Sequence, residues 1–146
     1  MSVDQITNNE AENGPLSLAP ASAAEITSDA VDMDVLNAFE ELQSDDGSDL
    51  IVELIDLYVL DAAQRVSQIR EASVETESVL LKRAAHNLKG SSSNLGVCKV
   101  AELCEKLERM EPNDSPQRLA EVVQLLEYES ARAGAALAAV RQRRLG

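Results

Sequence analysis

The sequence predicts an all-α protein: an antiparallel four-helix bundle with a short additional N-terminal helix and a disordered, acidic N-terminal tail. Three observations predict it. Apolar residues make up 45% of the 146-residue chain, yet only Phe39, Tyr58 and Tyr128 are aromatic, so the core must be built from Leu, Ile, Val and Ala. That palette suits helices more than sheets. Beyond about position 30 the apolar residues recur at helical spacing, and no stretch alternates as a hairpin strand would. The breaks between these stretches are short, which in helical proteins joins antiparallel neighbours. A chain of this length supports one core, placed here at residues 31–146.

Residues 1–30 mix Asn, Ser, Ala, Pro and acids without either hydrophobic period, so they cannot bury enough surface to offset the entropy of ordering. The short first helix carries Met33, Leu36, Phe39 and Leu42 and ends before SDDGS. A long second helix, from about Asp49 to Ala72, has Ile51, Leu54, Ile55, Tyr58, Ala62, Val66 and Ile69 on one stripe. After the break SVET, Thr76 is the expected N-cap of the third helix and Glu77 favours its first turn. That helix runs to Leu95, where Gly96 suits a C-terminal cap. The fourth uses Val100, Leu103, Cys104, Leu107 and Met110 and stops at EPND. Ser115 followed by Pro116 starts the fifth, whose stripe is Leu119, Val122, Val123, Leu126, Ala133, Leu137 and Val140. Arg141, Arg143 and Arg144 sit at its negative end.

Charge narrows the function. The formal net charge is −13, and from Met1 to Gln64 there are 15 acidic residues and no Lys or Arg. Such a chain is a poor general ligand for nucleic acid or anionic lipid, because it lacks a broad basic surface to displace counterions. No apolar run approaches the roughly 18–20 residues that span a bilayer, and the N-terminus lacks the pattern of a secretory signal. A cytoplasmic, monomeric protein is expected. Cys98 and Cys104 are expected as two reduced thiols packed on one helix, since neither a CxxC pair nor a second histidine is present to complete a zinc site.

The sole histidine, His86, lies in the stretch AAHNLKGSSSNLG. Successive helical residues turn by about 100°. Leu81, Ala85, Leu88, Ser92 and Leu95 therefore share one arc about 80° wide, the core stripe, and His86 falls on the opposite side. Lys82, Lys89, Gly90 and Ser93 lie within about 60° of it. Gly90 costs roughly 1 kcal/mol relative to alanine inside a helix, and three serines add no helix preference. An isolated surface histidine is ordinarily inert and an exposed lysine a solvated charge. Their joint placement beside a glycine that bares the ring, and beside small serines that admit another backbone, points instead to a site.

Three chemistries open to an imidazole are base, metal ligand and nucleophile. Metal binding lacks a second histidine, and a hydrolase lacks a nucleophile elbow. Attack by a ring nitrogen on phosphorus remains, with Lys89 and Lys82 neutralising phosphoryl oxygens. No Walker or other Gly-rich nucleotide loop exists, so the phosphoryl group has to come from another protein.

AAHNLKGSSSNLG resembles the signature of histidine-containing phosphotransfer (HPt) domains, through His86, Lys89, Gly90, Ser91, Ser92, Leu95 and Gly96 with Leu88 at a core position. The resemblance spans roughly Asp32 to Arg144. It implies a phosphorelay intermediate in which Nε2 of His86 accepts a phosphoryl group from a receiver-domain aspartate of a hybrid sensor kinase and passes it to a response-regulator aspartate. Lys89 would steady the phosphoryl charge and Gly90 would leave room for the receiver. Lys82, Arg83 and Ser93 are the candidate binding residues, Arg83 because a receiver's site is rich in carboxylates, and Val79 is a candidate apolar rim residue. The receiver would supply Mg²⁺, so this chain would hold no cofactor and act as a carrier, not a kinase. The competing readings are a bundle that binds or sequesters receivers without phosphotransfer, and a cofactor-binding bundle, for which one histidine gives too few ligands.

Overall fold

The computed structural model describes residues 30–42, 49–111 and 113–146. The described residues form α1 (Met33–Ala38), a 3₁₀ turn (Phe39–Leu42), α2 (Leu50–Val74), α3 (Ser78–Asn94), α4 (Cys98–Arg109) and α5 (Pro116–Leu145). Residues 1–29 of the expected tail lie outside the described residues. Ala30, the last residue of that tail, is buried with Val31.

Local chemistry sets most boundaries. Asp49 Oδ1 accepts from the backbone N–H groups of Ile51 and Val52 at the start of α2, and Ser115 Oγ does the same for Gln117 and Arg118 ahead of Pro116. Both satisfy donors that the first turn of a helix leaves unpaired. α3 ends in a Schellman motif: Gly96 N–H donates to the Ser93 carbonyl and Val97 N–H to that of Ser92, with Gly96 at φ +81°.

The turn between α2 and α3 differs from expectation. Thr76 does not cap α3; Glu77 occupies the N-cap position without a capping hydrogen bond from its side chain. Thr76 stands at φ 55°, and Glu77 N–H donates to the Ala72 carbonyl, the same closure that ends α3. A three-residue reversal needs a left-handed residue after the last turn, and that need outranks capping of the next helix. Leu42 also departs from its expected stripe: the first helix tightens to 3₁₀ at Phe39, and Leu42 is 64% exposed. Of the two cysteines Cys104 is buried, but Cys98 at the start of α4 is exposed. Burial pushes the Cys104 thiol up to about 12.

Consecutive long helices pack against one another, and α5 returns against α2, giving a closed ring of four. Cross-helix pairs set the directions. Asp49, Asp56 and Arg70 along α2 meet Arg144, Arg141 and Glu127 of α5 in descending order, so the two run antiparallel. Tyr58 with Ser92 and His86 with Glu108 straddle their turns in the way a helical hairpin requires. The expected stripes fill the interior, with Leu54, Val66, Leu119 and Met110 only partly buried at its margins.

α1 covers the end of the bundle at the α3–α4 turn. Asp32 N–H donates to the Gly96 carbonyl at 2.7 Å. A Cβ placed on Gly96 would lie 2.7 Å from the Asp32 carbonyl oxygen and 3.0 Å from Val35 Cβ. Gly96→Ala is therefore expected to destabilise the fold by about 2–4 kcal/mol, from left-handed strain and the forced retreat of α1. Chemical denaturation measures this; an unchanged midpoint would show that α1 does not depend on the close approach.

Candidate functional site

α3 presents three kinds of surface. Leu81, Ala84, Ala85, Leu88 and Ser92 are buried. His86 lies opposite them with 67% of its side chain exposed. On the flank facing α4, Glu108 holds two α3 side chains at once: its Oε2 is 2.8 Å from His86 Nδ1 and its Oε1 is 2.7 Å from Lys89 Nζ.

That bridge determines the tautomer. An ionised carboxylate can only accept, so Nδ1 is the donor, and in the neutral ring the lone pair is left on Nε2 of a largely exposed side chain. Desolvation alone would raise the Glu108 carboxyl, but hydrogen bonds and charge from Lys89 and His86 outweigh it and hold the group below its ordinary range. Lys89 is moved upward, chiefly by its hydrogen bond to Glu108. A depressed folded value stabilises the tie above the ordinary carboxylate value, and that stabilisation is lost as pH falls through the folded value. Lys89 gives the alkaline limit, its share being lost as pH rises above 10.5 and through its own raised value. The Glu108 carboxyl ¹³C shift is thus expected to titrate below pH 4.5, with loss of the His86 Nδ1 hydrogen bond in step; titration at or above 4.5 would contradict the bridge.

Apart from its chain neighbours and the backbone of its own helix, nothing lies within 4 Å of the position a Cβ on Gly90 would take. The bundle does not require glycine there, and the space beside the ring is open to solvent. Ser91 Oγ turns back to the carbonyls of Asn87 and Leu88, and Ser92 is in the core. Ser93 is exposed, and its carbonyl serves the Gly96 cap.

Among the sequence-predicted residues, His86 and Lys89 are brought together and Gly90 adjoins them. Lys82, Arg83 and Ser93 are not joined to the ring by any bond between the described residues. Lys82 lines a largely apolar cavity at the opposite end of the bundle from α1, with Leu81, Leu107, Met110 and Leu119. Arg83 turns the other way, into a polar groove between α2 and α3 shared with Arg65, Glu71 and Glu75. Val79 is 71% exposed near the start of α3. Sequence reasoning missed Glu108, which lies 22 positions from His86 on another helix. Only the mirror symmetry of a hairpin about Val97 signals it.

An aliphatic four-helix bundle that displays one oriented, accessible imidazole beside a lysine defines a histidine phosphocarrier class. Residues 53–142 match the model of the Hpt domain. The chain belongs to that family, and its role is histidine phosphotransfer in two-component phosphorelays. It is similar in structure to histidine-containing phosphotransfer protein B (HptB) from Pseudomonas aeruginosa PAO1, with a TM-score of 0.69 and 29% identity, over 78% of this chain and 96% of that one. No curated protein matches the sequence. No helix among the described residues is long and apolar enough to cross a membrane.

Proposed function

We propose that His86 takes a phosphoryl group from the aspartyl phosphate of a hybrid sensor kinase's receiver domain and delivers it to a response-regulator aspartate. The lone pair of Nε2 attacks phosphorus, the P–O bond to the donor aspartate breaks, and that carboxylate leaves. Nδ1 keeps its proton throughout, because Glu108 accepts the hydrogen bond that Nδ1–H donates. The product ring then carries positive charge next to a carboxylate. Delivery is the reverse: the acceptor carboxylate attacks phosphorus, the P–Nε2 bond breaks, and the neutral ring is restored with the same tautomer.

The observation that carries this reading is the Nδ1–Glu108 hydrogen bond on an imidazole side chain that is otherwise largely exposed. Lys89, held 2.7 Å from the same carboxylate, is the nearby cation that we assign to the phosphoryl oxygens. We assign Mg²⁺ to the receiver and none to this chain, which acts as a carrier without kinase activity in the cytoplasm, where receivers reside. Lys82 and Arg83, in their separate recesses off the ring, contribute only long-range positive charge, which speeds encounter with an acidic receiver site.

The test is to incubate the protein with a phosphorylated receiver and follow labelled phosphate. Transfer supports the reading; a wild-type chain that binds receivers and takes no label from any of them would favour the sequestering module. Gly90→Ala adds a second measurement. Free space at that position predicts a gain of about 1 kcal/mol in stability, together with slower transfer because the methyl group intrudes on the docking receiver. Unchanged transfer would remove the steric role of the glycine.

A further inference from the structure

Beneath the site, Tyr58 Oη and Ser92 Oγ form a buried hydrogen bond of 2.7 Å between α2 and α3. Ser92 is fully buried and is the sole buried polar or charged residue among the described residues, apart from the Tyr58 hydroxyl it meets. The buried surface of α3 is Leu81, Ala84, Ala85, Leu88 and Ser92, so three of its five side chains are small. Along α2, the buried neighbours of Tyr58 one turn before and after it are Ile55 and Ala62. Smooth aliphatic surfaces of this kind pack in several neighbouring registers, and a single buried polar pair discriminates among them by leaving donors and acceptors unpaired in all but one.

We propose that Tyr58 and Ser92 are positioning residues for His86, their hydroxyl pair locking the rotation and height of α3 so that the imidazole meets Glu108. Six residues separate Ser92 from His86, an angle of about 120° around the axis. The inner tie therefore holds α3 to α2 on one flank while Glu108 holds it to α4 on the other, and two ties on different flanks stop a cylinder from rolling. A roll of about 20° carries a side chain about 5–6 Å from the axis through roughly 2 Å. That breaks a 2.8 Å hydrogen bond at Nδ1 and re-aims Nε2. The outer tie is solvent-exposed and weak alone. Burial pushes the Tyr58 hydroxyl up to about 12, so the inner tie stays neutral and intact across the working range.

For its kinetic arm the inference rests on the phosphotransfer reading, and its spectroscopic arm is independent of it. In the full chain, the Tyr58→Phe/Ser92→Ala double variant removes both hydroxyls and leaves nothing unpaired, so helix content and melting are expected to stay close to wild type. The His86 Nδ1–H resonance is expected to broaden or lose its hydrogen-bonded shift. Transfer from a phosphorylated receiver is expected to fall about tenfold, as misplacement at a reacting centre does. Combining the double variant with Glu108→Ala should add little further loss, since a rolled α3 has already left Glu108. A wild-type Nδ1–H signal, or full additivity with Glu108→Ala, would overturn the positioning role. If the double variant unfolds, Tyr58→Phe alone, which deletes one oxygen, carries the same spectroscopic test. If wild type takes no label, the function falls and the Nδ1–H signal still decides the positioning.

Discussion

Replacing His86 by glutamine is expected to abolish phosphoryl acceptance completely while leaving the bundle folded. The wild-type label should be acid-labile and base-stable, as a phosphoramidate is, and should vanish in His86→Gln because the chain has no other histidine. Folding should hardly notice. The side chain is 67% exposed, and a surface substitution of this kind moves stability by about 0.5 kcal/mol or less. Melting and labelling measured on the same preparation separate the two effects. A label that persists in His86→Gln would place the acceptor on another residue and end the present assignment.

Glu108→Ala is expected to produce the second largest loss. It removes the acceptor that holds Nδ1 protonated and the carboxylate that faces the charged product ring. A hydrogen bond involving a charged group contributes about 1.5–3 kcal/mol, which at the transition state corresponds to roughly a 10- to 100-fold slower transfer. Glu108→Gln should fall between, since its amide oxygen can still accept from Nδ1 but brings no charge. Lys89→Ala should also slow transfer, through weaker neutralisation of the phosphoryl oxygens. Stability should change little in all three, because partly exposed ion pairs are worth about 0–1 kcal/mol. Rapid-quench kinetics distinguish the arms; equal rates for Glu108→Ala and wild type would show that the ring needs no orienting partner.

The features legible in the sequence were those written locally. The inward stripe Leu81, Ala85, Leu88, Ser92 and Leu95 is buried throughout, because a 3.6-residue period is a property of each helix alone. Ser115–Pro116 opens α5 and Gly96 closes α3 for equally local reasons. Thr76 misled because a β-hydroxyl residue between two helices can end one or begin the other, and only the reversal geometry chooses. Leu42 misled because the switch from α to 3₁₀ at Phe39 rotates the following residues off the helical stripe. Lys82 and Arg83 share the angular sector of His86, yet neighbouring helices draw them into separate recesses.

By itself the sequence determined the helices, the buried stripe and the side of α3 on which His86, Lys89 and Gly90 stand, since all of these follow from spacing along one chain segment. Tertiary structure alone decided that Glu108, and not Glu102 or Glu105 of the same helix, reaches the imidazole. It also decided that Tyr58 answers the hydroxyl of Ser92. The physical reason is that periodicity fixes angles within a helix but says nothing about the relative rotation and height of two helices. A hydrogen bond of under 3 Å between them depends on both.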